Sequence, residues 1–125
     1  MKVSHENHRE SVIEVSDLGE SQFINVNFEE SLFDDVNFDS STFTKANFLN
    51  TTIQHAYFWD AKIKDASFQR VEMENVDLSG MKMKIINLAN TIIEDAYIEG
   101  LVINGVNVGE LIKKYGTKIK EDEDE

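Results

Sequence analysis

The residues able to do chemistry are few and scattered. His5 and His8 stand in "HENH" at a spacing seen in metal sites, but no third ligand lies near them. His55, two residues before Tyr57 and five before Asp60, could act as a base, yet nothing around it supplies a nucleophile. Asp34 and Asp35 are an adjacent carboxylate pair, which in a turn is solvated, unlike an acid/base pair held in a cleft. The chain has no cysteine, so it has neither a disulfide nor a thiolate ligand. It also lacks a phosphate-cradling glycine loop, a nucleophile elbow and H-E-x-x-H. The expectation is a non-enzymatic protein without catalytic residues, cofactor or metal.

Composition narrows the partners. The 125 residues suffice for one domain with a single core. Net charge is −12, from 24 acidic and 12 basic side chains, whereas a phosphate-binding footprint needs a basic excess. Direct nucleic-acid binding is therefore not expected. No apolar run approaches the roughly 20 residues of a membrane span, and "MKVSHENHRESVIEV" lacks the apolar stretch of a secretory signal. The chain reads as cytoplasmic, with another protein as its partner and no membrane contact.

Whatever positions these groups must account for a period of five. All eight phenylalanines (23, 28, 33, 38, 43, 48, 58 and 68) share one of five possible frames. Leu18, Ile53, Ile63, Met73, Leu78, Met83, Leu88, Ile93, Ile98, Ile103 and Val108 continue it, so all nineteen positions from 18 to 108 are apolar. Two residues earlier runs a second column, small or β-branched from Ser16 to Val76. Between the columns stand polar residues such as Asn27, Asn37, Asn47 and Asp77. Inward, outward, inward is strand alternation. The remaining two residues, as in Asp39-Ser40, Ser79-Gly80 and Asn104-Gly105, are turn formers. Each unit is one short side and one corner, and repetition coils the chain into an all-β solenoid.

Units such as "AYFWD", "AKIKD", "ASFQR", "VDLSG" and "VNFDS" resemble the pentapeptide-repeat family, usually written A-(D/N)-L-X-X. The resemblance implies a right-handed quadrilateral β-helix with four units per coil. It also implies terminal caps and, in some members, a homodimer contact at the C-terminal end. On this reading residues 1–15 are an irregular N-terminal cap and 16–110 form the β-helix. Residues 111–118 are then a short capping helix with Leu111, Ile112 and Tyr115 on one face, and 119–125 a disordered acidic tail. Met81, Ile86 and Leu101 break the small column where the large column shifts from Phe to Met, Leu and Ile; volume compensation accounts for this, a bulge being the alternative.

Four sides imply that positions twenty apart stack. One face then gathers Lys62, Lys64, Lys82 and Lys84, with Lys45 at a neighbouring corner, and another gathers Asp34, Asp35, Glu72, Glu74, Glu94 and Asp95. A third carries Tyr57, Trp59 and Tyr97, a candidate contact surface because aromatics are enriched in interface hot spots. The Asn27, Asn47, Asn87, Asn107 column is expected to hydrogen-bond between units. The leading expectation is a rigid interaction or scaffold module. The alternative, implied by the resemblance, is a DNA-mimicking modulator of DNA gyrase or topoisomerase of the quinolone-protection type.

Overall fold

In the computed structural model, which describes residues 1–123 and side-chain surroundings through Tyr115, the chain winds into five coils of twenty residues. The strands are β1 (Lys2–Ser4), β2 (Val12–Asp17), β3 (Gln22–Ile24), β4 (Leu32–Asn37), β5 (Thr42–Thr44), β6 (Thr52–Tyr57), β7 (Lys62–Ser67), β8 (Glu72–Asp77), β9 (Lys82–Asn87) and β10 (Ile92–Glu94). They form two five-stranded parallel sheets, ordered β1-β3-β5-β7-β9 and β10-β8-β6-β4-β2. Every pairing in both sheets is offset by twenty residues: Phe23 lies beside Phe43, Val36 beside Ala56 and Lys62 beside Lys82. Twenty residues are four side-and-corner units, so the architecture is the four-sided β-helix expected. At about 4.8 Å per coil the rod is roughly 24 Å long.

The corners explain the period. The second corner residue of each unit takes a positive φ, for example Glu30 (59°), Ser40 (57°), Asp60 (57°) and Gly80 (69°). At alternate corners the chain closes a turn: the Ser41 N–H donates to the Phe38 carbonyl at 3.1 Å, and the Ala61 N–H to the Phe58 carbonyl at 3.0 Å. Asparagine and aspartate before the large column brace these corners. Asn37 Oδ1 accepts from the Asp39 N–H at 2.8 Å, and Asn27 Oδ1 from the Glu29 N–H at 2.9 Å. These bonds stay within a corner, two residues on, rather than joining units as expected. Val15 (φ 44°) and Ile85 (φ 58°) put β-branched side chains into a left-handed backbone that disfavours them.

Hydroxyls in the small column stitch coil to coil. Ser31, Ser41 and Thr51 donate to the carbonyls of His8, Leu18 and Phe28 on the coil before, at 2.8, 2.7 and 2.9 Å. The His8 and Phe28 carbonyls also accept the turn N–H groups of Ser11 and Ser31, whereas at Leu18 the Ser41 hydroxyl takes the place of that turn bond, and an unpaired interior carbonyl is costly. Between them the large column fills the axis. Phe23 stacks on Phe43 (4.7 Å), Phe28 on Phe48 (5.3 Å) and Phe48 on Phe68 (4.7 Å), while consecutive phenylalanines meet edge to face. Met81, Met83, Ile86 and Leu88 continue this core, partly buried, and β9 keeps unbroken register, so volume compensation holds there without a bulge.

Both ends differ from the sequence expectation. Residues 1–15 are the first coil, not an irregular cap: β1 and β2 pair with β3 and β4, with Val3 and Ile13 packed on the core. His8 obscured this by occupying the apolar column, where its ring stacks on Phe28 at 5.9 Å. At the other end the stack stops before residue 110. β11 (Val102–Ile103) and β12 (Val106–Asn107) form an antiparallel hairpin instead. Helix α1 (Val108–Glu123) then starts earlier and runs longer than 111–118, so residues 119–123 of the expected tail are helical; residues 124–125 lie outside the described residues. Asn107 sets its start, its Oδ1 accepting the Glu110 N–H at 3.0 Å. Gly109 lies against the Ile98 carbonyl, so the first turn of α1 crosses the last coil, while Leu111, Ile112 and Tyr115 stay about half exposed.

Candidate functional site

A filled interior pushes function outward. Residues of the large column from Phe33 to Phe68 are essentially inaccessible, so only side chains between the columns and at the corners can meet a partner. The twenty-residue register places each of them on one of four sides, and positions ten apart on opposite sides.

The lysines group as expected. Lys62 lies directly beside Lys82 and Lys64 beside Lys84, on β7 and β9, with Thr42 and Thr44 continuing the two columns on β5. Like charges in register repel modestly, and no carboxylate among the described residues bridges to any of the four. Lys45 stands at the next corner, as does Arg9 one side further on, where Glu10, Glu29 and Glu30 hold it at 2.9, 3.5 and 3.1 Å. Those carboxylates, Glu30 foremost, raise the Arg9 pKa above its ordinary value.

The opposite half is uniformly acidic. Glu14, Asp34, Glu74 and Glu94 share one corner column, interrupted only by Gln54, with Asp35 and Asp95 beside them and Glu72 on the adjoining flat. The next flat carries Asp17 and Asp77, and the corner beyond it Asp39, Glu99, Glu20 and Asp60. These thirteen carboxylates share their half of the circumference with no lysine or arginine. His55 Nδ1 reaches Asp34 Oδ1 at 3.0 Å across neighbouring coils. That hydrogen bond, then one from Gln54, lowers the Asp34 pKa below the usual carboxylate value.

Tyr57, Trp59 and Tyr97 fall on this acidic half, and each is more than half exposed at 55%, 58% and 54%. Tyr57 and Tyr97 occupy one column with Asp77 between them, and Trp59 stands across the turn, its N–H donating to Asp39 Oδ1 at 2.9 Å. The Tyr97 hydroxyl donates to Glu99, which raises the Tyr97 pKa. Both tyrosines line an open groove of about 790 Å³ with Asp34, Asp35, His55, Asp77 and Asp95. Sequence reasoning put the aromatics and the acidic cluster on separate faces; the corner they share joins them. His5 and His8 do not converge, since His5 is an outward corner residue while His8 packs on Phe28, and no group of three potential metal ligands occurs among the described residues. No helix among the described residues is long and apolar enough to cross a membrane.

The family model "Pentapeptide repeats (9 copies)" matches residues 28–82. Over that stretch the chain is a run of pentapeptide repeats. A solved pentapeptide-repeat structure shares its coil. HetL, involved in heterocyst differentiation regulation in the cyanobacterium Nostoc, superposes with a TM-score of 0.67 at 13% identity, over 81% of this chain and 51% of HetL. This chain thus spans about half the length of HetL, and the likeness is one of fold. A pentapeptide repeat protein of the Arabidopsis thaliana thylakoid lumen matches at 20% identity over 85% of this chain and 77% of its own, with a TM-score of 0.49. QnrB1, a plasmid-mediated fluoroquinolone resistance protein, matches at 11% identity over 77% and 72%, with a TM-score of 0.37. No curated protein sequence matches this chain.

Proposed function

We propose that this protein is a non-enzymatic interaction module whose acidic, aromatic half docks a basic surface of another protein. The observation that carries the reading is the separation of charge around the rod, with Tyr57, Trp59 and Tyr97 exposed only on the carboxylate side. Clustered carboxylates steer a cationic partner over distance, and exposed aromatic rings add contact area at low entropic cost. Rigid coils hold both in fixed spacing. The test is affinity capture with wild type and a Tyr57→Ala, Trp59→Ala, Tyr97→Ala variant at low and high salt. A basic protein held by wild type, released by salt and lost from the variant is the expected result. Capture that ignores both salt and the three substitutions refutes the reading.

One observation favours a second reading, mimicry of duplex DNA toward a topoisomerase. Thirteen carboxylates on one side of the rod, over roughly 24 Å, amount to about one charge per 2 Å of axis, against about one per 1.7 Å in the duplex. Lysines on the opposite side do not interrupt that surface. Gyrase supercoiling assays, with and without a quinolone, decide: no effect at any protein concentration removes this reading and leaves the first intact.

A further inference from the structure

The end of the coil holds a conflict between two levels of the sequence. Through residue 108 the five-residue pattern continues, with Ile103 in the large column and Leu101 and Val106 in the small one. A sixth coil would therefore begin by laying residues 102–107 on β9 at the same twenty-residue offset. Val102 would lie beside Lys82, Ile103 beside Met83 and Val106 beside Ile86, as Lys62, Ile63 and Ala66 lie on the other side of β9. Instead β11 and β12 pair with each other, and β9 is left paired on one side only. An apolar groove of about 180 Å³ stands open where that rung is missing. Met83, Ile86, Leu88 and Ile93 line it from the coil, and Val102 and Ile103 from the hairpin. Val102, Ile103 and Val106 are exposed.

The residue at which the two arrangements part is Asn104. Asn-Gly is the strongest two-residue hairpin signal because a type I′ turn needs positive φ at both positions, and Asn104 (49°) and Gly105 (81°) both comply. In the coil, only the second corner residue is left-handed: Lys45, Asp65 and Ile85 have positive φ, whereas Thr44, Lys64 and Lys84 do not. Gly105 satisfies either arrangement, and Asn104 satisfies the hairpin. Local turn chemistry thus opposes a repeat pattern that would pair the β9 edge and fill the groove, two gains an open edge strand otherwise forgoes.

We infer that residues 102–107 are a displaceable rung, exchanging between the β11–β12 hairpin and a docked strand on β9 that closes the C-terminal end of the coil. The occupant of the groove is this segment of the same chain, and Asn104 sets the balance. The hairpin leaves the end open; docking extends the solenoid by one side.

Two crosslinks separate the states, and the cysteine-free chain makes them clean. Lys82→Cys with Val102→Cys reports the docked rung, since parallel neighbours lie about 4.8 Å apart, within disulfide reach. Val102→Cys with Asn107→Cys reports the hairpin, in which those two residues are partners. All three positions are exposed, and since Asn107→Cys also removes the cap of α1, circular dichroism checks the fold of each variant before oxidation. Both intrachain disulfides are expected to form under mild oxidation, each in its own variant. Adding Asn104→Thr, which resists a left-handed backbone, should speed the 82–102 link and slow the 102–107 link, each by about tenfold. Three results overturn the inference: a 102–107 link without any 82–102 link, equal rates with and without Asn104→Thr, or an 82–102 link that joins two chains rather than one.

Discussion

Replacing Phe43 with alanine should show how much the aromatic ladder contributes to stability. Phe43 is fully buried, stacked on Phe23 at 4.7 Å, edge to face with Phe38 and Phe48 at 5.3 and 5.5 Å, and tilted against Phe58. Truncating a buried phenylalanine costs about 3–5 kcal/mol, the cost rising with the cavity that remains. Collapse into this cavity is restricted because β5 is pinned by β3 on one side and β7 on the other. The upper part of the range, about 4 kcal/mol or more, is therefore expected. For 125 residues at about 2.1 cal/mol/K each, a loss of about 4 kcal/mol lowers Tm by roughly 15 °C. Met83→Ala is the comparison, since Met83 sits in the same kind of column but is only partly buried beside the open groove. Its loss should be about 1–2 kcal/mol, below the range for fully buried methionine. Urea titrations followed by far-ultraviolet circular dichroism measure both, with the m-values checking that the whole coil still unfolds as a unit. If Phe43→Ala costs no more than Met83→Ala, the packed axis is not what holds the solenoid together, and the reasoning fails.

Three further outcomes follow from the same geometry. Ser41→Ala removes the bond to the Leu18 carbonyl and the acceptor of the Ser21 N–H, both inside the rod, and should cost about 1–3 kcal/mol in the same titration. Val15→Asn relieves a β-branched residue held at positive φ and should raise stability by about 1 kcal/mol, read as a higher urea midpoint at unchanged m. Because Asp34 is held below its ordinary pKa by His55 and Gln54, its stabilising contribution is complete above the ordinary carboxylate pKa and fades as pH falls through the lowered one. His55→Ala should move the Asp34 midpoint upward in an NMR titration; an unmoved midpoint would mean the 3.0 Å contact does not persist in solution.

Much of this fold was legible because its signal is repetitive. An apolar residue at every fifth position says the same thing nineteen times over, and a small or β-branched residue two before it repeats from Ser16 through Val76. Single exceptions misled where the repetition was weak. His8 in the apolar column hid the first coil, although Val3 and Ile13 kept its frame. Asn104-Gly105 reads as one more corner in the repeat, but Asn-Gly is also a hairpin turn, and the structure forms the hairpin. The hydroxyls at Ser31, Ser41 and Thr51 read only as small residues, since the carbonyls they serve lie twenty-three positions earlier in the chain.

The surface was legible in its parts and not in their arrangement. Spacing within one chain says which residues point outward, because strand alternation is a local property. It does not say which outward columns share a corner, because that depends on where the coil closes. Thus the period and the packed axis belong to the sequence alone. That Tyr57 and Tyr97 meet the carboxylates of Asp34, Asp35 and Asp95 in one groove, with the lysines turned to the opposite side, was decided only when four sides closed around that axis.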